Sequence, residues 1–142
     1  MGFFGKRKSA KQQLYERTVE LGALTSMPVQ HIEGLPIAQF SHCNIFLKTD
    51  GVVFEQEDKT LNIGIDQITN ATIRNWLPGE VKTLDKSKSG KLPNFYLYIE
   101  YISKDKENRT VILNCLANYE CTKFADKIRQ LKTDNLSKNI YL

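Results

Sequence analysis

The stretch NYECTKFADKIRQLKT, residues 118–133, decides the fold. Cys121, Phe124, Ala125, Ile128 and Leu131 recur at helical spacing and share one stripe, while Glu120, Lys123, Asp126, Lys127 and Gln130 fall on the opposite side. Asn118 has the side-chain oxygen that an N-cap needs, Glu120 suits the positive end of the helix dipole, and Arg129 and Lys132 suit the negative end. Burying Phe124, Ile128 and Leu131 is worth roughly 1.5–3 kcal/mol apiece before ordering costs, large beside a net stability of about 5–15 kcal/mol. A helix of this kind closes a core, and the residues before it read as the strands that form that core.

Upstream of the helix the period is two. Val111, Leu113 and Cys115 mark a seventh strand, reached from the sixth through the charged turn Lys104 to Asn108. In the sixth, Phe95, Leu97, Ile99 and Tyr101 share one face and Tyr96, Tyr98 and Glu100 the other. Thr69, Ala71 and Ile73 give the fifth strand, and Leu61, Ile63 and Ile65 the fourth. Cys43 to Lys48 and Val52 to Gln56 flank Thr49, Asp50 and Gly51, a hairpin connection with an Asp-Gly pair. His31 to Gln39 reads as the first strand, with Pro36 inside it tolerated at an edge or bulge. Ser9 to about Leu24 reads as a helix with Leu14, Thr18, Leu21 and Leu24 near one face, and Pro28 marks the change to extended chain. Tyr96, Tyr98, Ile112 and Leu116 keep the outer side of the sheet apolar, so that side needs cover, and the N-terminal helix is the candidate.

This divides the chain into a basic N-terminus (1–12), a helix packed on the domain (13–27), one domain (30–133) holding a long lysine-rich loop (75–94), and a tail (134–142). If strands five to seven run up and down, that loop stands beside the start of the final helix. With 142 residues, 41% apolar and 25% charged, the chain is long enough for one core without metal or disulfides. No run has the length of a membrane span and the N-terminus lacks a signal-peptide core, so a cytosolic protein is expected. Cys43, Cys115 and Cys121 are odd in number and scattered, and read as buried free thiols.

The net charge of +4 is concentrated at one end. Lys6, Arg7, Lys8 and Lys11 lie in the first twelve residues without an acid among them, and the rest of the chain is neutral. That distribution counts against a nucleic-acid-binding domain, which carries its basic face on the folded part. Phe3 and Phe4 beside the basic cluster form a candidate contact for an anionic membrane surface or an acidic partner; the alternative is a solvated terminus whose rings dock on the domain. Gly2 does not make a myristoylation motif, because Lys6 stands where Ser or Thr is needed. In the loop, Trp76, Lys82, Lys86, Lys88 and Lys91 form a second candidate contact, for an acidic partner, a lipid headgroup or single-stranded nucleic acid, set against a solvated loop with Trp76 folded onto the core.

Chemistry is harder to find. His31 and His42 are the only histidines, both read as ordinary surface residues, and no Cys, His, Asp or Glu spacing suits a metal. Gly34, Gly51 and Gly64 are isolated, so no phosphate cradle is present. Neither a cofactor nor an enzymatic activity is expected.

Seven antiparallel strands followed by an amphipathic helix, with Glu33, Gly34, Leu35, Pro36 and Cys43 early and Ile63, Ile65, Ile68 and Ile73 around the fourth and fifth strands, resemble the small bacterial pleckstrin-homology-like proteins related to GRAM domains. The resemblance runs from about His31 to Leu131, excluding the long loop. It implies a mainly β fold: a partly open barrel of two near-orthogonal antiparallel sheets capped by the C-terminal helix, here with an extra N-terminal helix. It also implies a non-catalytic binding module, with a protein partner accepted along the edge between the fifth strand and the final helix. Separately, an exposed strand edge makes a homodimer conceivable. Two departures narrow it. Lysines replace the Gly-rich apolar segment that similar bacterial chains carry between strands five and six, which removes the strongest membrane argument and leaves a peripheral contact at the inner membrane face to the N-terminus. Ile37, Ala38, Gln39, Phe40, Ser41 and His42 supply no fixed cation where phosphoinositide-binding relatives place basic residues.

Overall fold

The computed structural model describes residues 8–75, 77, 95–116 and 118–138. The chain runs α1 (Ala10–Leu21), β1 (Thr25–Glu33), β2 (His42–Lys48), β3 (Gly51–Gln56), β4 (Lys59–Gly64), β5 (Ile68–Arg74), β6 (Phe95–Ile102), β7 (Asn108–Cys115) and α2 (Asn118–Lys138). The strands form one antiparallel sheet in the order β4-β3-β2-β1-β7-β6-β5, with β4 and β5 left as edges. Alternate residues from both halves, among them Val29, Ile45, Phe54, Ile99 and Leu113, join Cys121, Phe124, Ala125 and Ile128 of α2 in one core. The sheet therefore curls on itself without closing, and α2 fills the opening. Phe124 is 1% exposed, as a plug must be. This is the partly open, helix-capped fold that the final stripe requires. Its helix is longer than expected, extending past Thr133 to Lys138 into the part read as tail.

The N-terminal boundaries shift. Ser9 caps α1 by accepting from the Gln12 N–H at 3.0 Å, and Gly22, at φ 66° in the left-handed region, ends it well before residue 27. β1 then spans Thr25–Glu33 instead of His31 to Gln39. Pro28 fits inside β1 because β7 pairs with it only from Val29 onward. His31 donates its backbone N–H toward the β2 side, to the Ser41 carbonyl at 2.8 Å. By alternation, residues 26, 28 and 30 turn their backbone groups toward the β7 side, where the N–H that proline lacks would have met no strand. Gly34, at φ 105°, ends the strand, and a Cβ there would lie 2.2 Å from the Thr110 carbonyl oxygen. Pro36 consequently falls in the connection to β2 and not in a strand.

Cover on the outer side is also divided differently. α1 lies over β1 to β3, where Thr18 Oγ1 meets Ser26 Oγ at 2.6 Å and Arg17 makes a two-pronged contact with Glu55. Phe46, opposite both Ser26 and Val53, is fully buried beneath it. The short Gly22–Leu24 link, with the Leu24 N–H bonded to the Leu47 carbonyl at 2.7 Å, keeps α1 there and out of reach of β6. Leu77, just beyond β5, instead joins Ile32, Tyr96, Tyr98 and Ile112 in a second cluster. Leu116 stays uncovered, at 53% exposed.

Two further expectations are corrected. Cys115 and Cys121 are a disulfide with Cα atoms 5.7 Å apart, not free thiols. The chain reverses between the end of β7 and the first turn of α2, which brings together two cysteines whose spacing matches no motif. Only Cys43 is free, and burial pushes its thiol up to about 11. His31, read as a surface residue, is 3% exposed. The Leu35 N–H donates to its Nε2 at 3.0 Å and its Nδ1 pairs with the Ala38 carbonyl at 3.1 Å, so the ring pins the β1–β2 connection as the Nδ1–H tautomer.

Register places the ends as the strand order requires. Arg74 pairs with Tyr96 and Phe95 with Cys115, so the β5 and β6 ends that flank residues 78–94 stand where β7 gives way to α2, and the Ser103–Glu107 turn lies at the opposite end.

Candidate binding groove

Among the described residues, the first half of β1 has a strand neighbour on one side only. Thr25 to Pro28 pairs with β2 on one side, but on the other β7 has already stopped at Cys115 and the chain has left for α2. The Ser26 N–H and C=O and the Pro28 C=O, by the same alternation, face that gap. One wall is α1, with Lys11, Leu14, Tyr15 and Thr18; the floor is Leu24 to Pro28, and Glu120 of α2 stands on the far side. The groove encloses about 540 Å³. Pro28 is shared with a neighbouring depression bordered by His42, Asn44, Glu55 and Leu116.

Its surface is unusually apolar for one left in water. Tyr15 is 69% and Leu24 50% exposed, which with Leu116 makes three large side chains around one stretch of backbone. No α1 residue is fully buried; Leu14, Thr18 and Leu21 are half-buried, and the link, the Thr18 hydroxyl and Arg17 add polar contacts. Glu55, bonded to it from β3, holds the Arg17 guanidinium above its ordinary value, with Glu20 adding to the effect.

Charges around the groove are distributed in a particular way. Each of the four described arginines has an acidic partner: Arg17 with Glu55 and Glu20, Arg74 with Glu100, Arg109 with Asp105 and Glu107, and Arg129 with Asp126. Arg74 also lies over the Tyr98 ring, 4.3 Å from its centroid. Burial raises the Tyr98 phenol, Arg74 opposing and Glu33 reinforcing the shift. Guanidinium groups committed in this way offer no free fork to a carboxylate or phosphate ligand. Lys11 and Glu120 line the groove and make no ion pair among the described residues.

Of the sequence candidates, Lys11 lines the groove, while Lys8 is exposed and bonded to Glu16 at 2.7 Å. Phe3, Phe4, Lys6, Arg7, Trp76, Lys82, Lys86, Lys88 and Lys91 lie outside the described residues. The seam between β5 and α2, where the resemblance puts a peptide, is occupied at its centre. Ala71 receives its own neighbour's Asn70 Oδ1 on its N–H at 2.9 Å, and its carbonyl accepts from Arg129 Nη1 at 2.6 Å. Sequence reasoning missed Leu24, Pro28, Leu116 and Glu120 as a set. Its available signal was apolar residues outside the α1 stripe, Tyr15 and Val19, which stay largely exposed.

Both His31 nitrogens are taken by backbone, and the one free thiol is buried and resists ionisation. Among the described residues no group of three or more His, Cys, Asp or Glu is placed to hold a metal, and no helix is long and apolar enough to cross a membrane. What the groove offers is apolar contact, an unfilled strand edge and one charge on each wall. Compared with known proteins, the chain matches no family model and no curated sequence.

Proposed function

We propose that this chain is a non-catalytic binding module of pleckstrin-homology-like build whose partner is a protein seated in the groove between α1, the unpaired half of β1 and the start of α2. The observation that carries the reading is the half-strand left open by β7 beneath the exposed Tyr15 and Leu24. Unfilled strand edges and uncovered apolar side chains are the two features that protein partners use. The pleckstrin-homology-like reading rests on the sequence resemblance together with the strand order and the terminal plug of a partly open, helix-capped β fold. A site of action in the cytosol belongs to that resemblance; the Cys115–Cys121 bridge weighs against it, since disulfides persist chiefly in oxidising compartments.

Site-specific photocrosslinking tests the reading. Benzoylphenylalanine at position 24 or 116 should give protein adducts of defined mass in native extract, and the same probe at position 106, in the turn at the far end, should not. Tyr15→Glu should remove those adducts. No adduct from 24 or 116, or the same pattern from 106, would refute the assignment.

A further inference from the structure

The two walls of the groove carry opposite charges that no described residue neutralises: Lys11 on α1 and Glu120 on α2, with Leu14, Tyr15, Leu24 and Pro28 between them. Taking the groove as the protein-binding site proposed above, we propose that its occupant is a second copy of this chain, related by a two-fold axis over the apolar strip.

The argument is one of symmetry. In a two-fold interface, if residue i touches residue j then j touches i. Rotation about an axis between the walls brings Lys11 of each copy to Glu120 of the other, so one operation makes two ion pairs and sets the Tyr15 and Leu24 surfaces against their own counterparts. An unrelated peptide would need an acid and a base at matching separation to satisfy both walls; a second copy has them by construction. Aromatic and aliphatic anchors at the centre with charges at the rim is also the usual anatomy of a protein interface. The helix gains as well. Tyr15 and Val19, one turn apart on α1 and 69% and 62% exposed, lie at or beside the surface that a second copy would cover.

Charge reversal tests this in the full chain by sedimentation equilibrium. The parent should dimerise, more weakly at high salt. Lys11→Glu and Glu120→Lys should each weaken the dimer by about tenfold or more, since either places like charges face to face twice. The double variant Lys11→Glu with Glu120→Lys should recover parental affinity to within about threefold. Tyr15→Glu should give a monomer whatever the charges, with unchanged circular dichroism. A parent that stays monomeric, or a dimer indifferent to both single reversals, overturns the proposal. The crosslink from position 24 separates the two ideas. An adduct of twice the chain's mass supports self-association, a different protein on a monomeric chain overturns it but leaves the groove a protein site, and no adduct overturns both.

Discussion

Replacing His31 by leucine isolates what a buried imidazole does for this fold. The ring is 3% exposed and sits where β1 ends, with both nitrogens bonded to the backbone of the segment leading to β2. Leucine keeps the apolar volume and removes the bonds. The Ala38 carbonyl is not orphaned, because Ser41 Oγ still donates to it at 2.6 Å. The Leu35 N–H is orphaned. An unmet buried donor costs about 1–3 kcal/mol, and Leu35 is only half-buried, so the lower part of that range, about 1–2 kcal/mol, is expected. For a chain of this size that lowers Tm by roughly 3–8 °C. Urea denaturation followed by circular dichroism measures the loss, and hydrogen exchange should show the Leu35 amide opening faster than amides in β2. Nitrogen-correlated NMR of the parent should find Nδ1 protonated and Nε2 bare. His31→Gln, which retains an acceptor and a donor, should recover part of the stability. If His31→Leu equals or exceeds the parent in stability, the ring is only filler and its bonds contribute nothing.

Other perturbations separate core from surface. Phe124→Ala removes the 1%-exposed plug and should cost about 3–5 kcal/mol, whereas Tyr15→Ala, on a 69%-exposed side chain, should stay within about 0.5 kcal/mol for the monomer; chemical denaturation of dilute protein, where the chain is monomeric, reads both. Cys43 gives a pH dependence. Its folded value of about 11 lies above the ordinary 9.0, so the folded chain keeps a proton that the unfolded chain has released. The corresponding stability is complete below about 9 and is lost as pH rises toward 11, and Cys43→Ala should flatten that alkaline decline in a pH series of urea melts. Iodoacetamide should label no thiol in the native oxidised protein and one after unfolding; a native chain that labels readily at neutral pH would contradict the burial.

Legibility followed the range of the interactions. The hairpin Cys43 to Gln56, the alternation of β6 and the stripe of α2 are set by neighbours two to four residues apart, and they were readable as such. β1 was misplaced because prolines were weighed without knowing their partners. Pro28 is harmless only because β7, more than eighty residues later, stops one position short of it. His31 looked like a surface residue for the same reason: its two bonds are to a connection whose path depends on Gly34 turning against β7. The candidate site was the least legible part. Lys11 could be picked out by charge, but its opposite number, Glu120, lies at the other end of the chain.

By itself the sequence determined the element types and their order, and with them a curled antiparallel sheet needing Phe124, Ala125 and Ile128 to fill it, because periodicity and turn chemistry act locally. Only the tertiary structure decided which half of β1 goes unpaired, which cysteines join, which residue covers Tyr96 and Tyr98, and that Arg129 occupies the β5 seam. Each of those depends on where two distant segments end relative to one another, a distance that no short window of residues encodes.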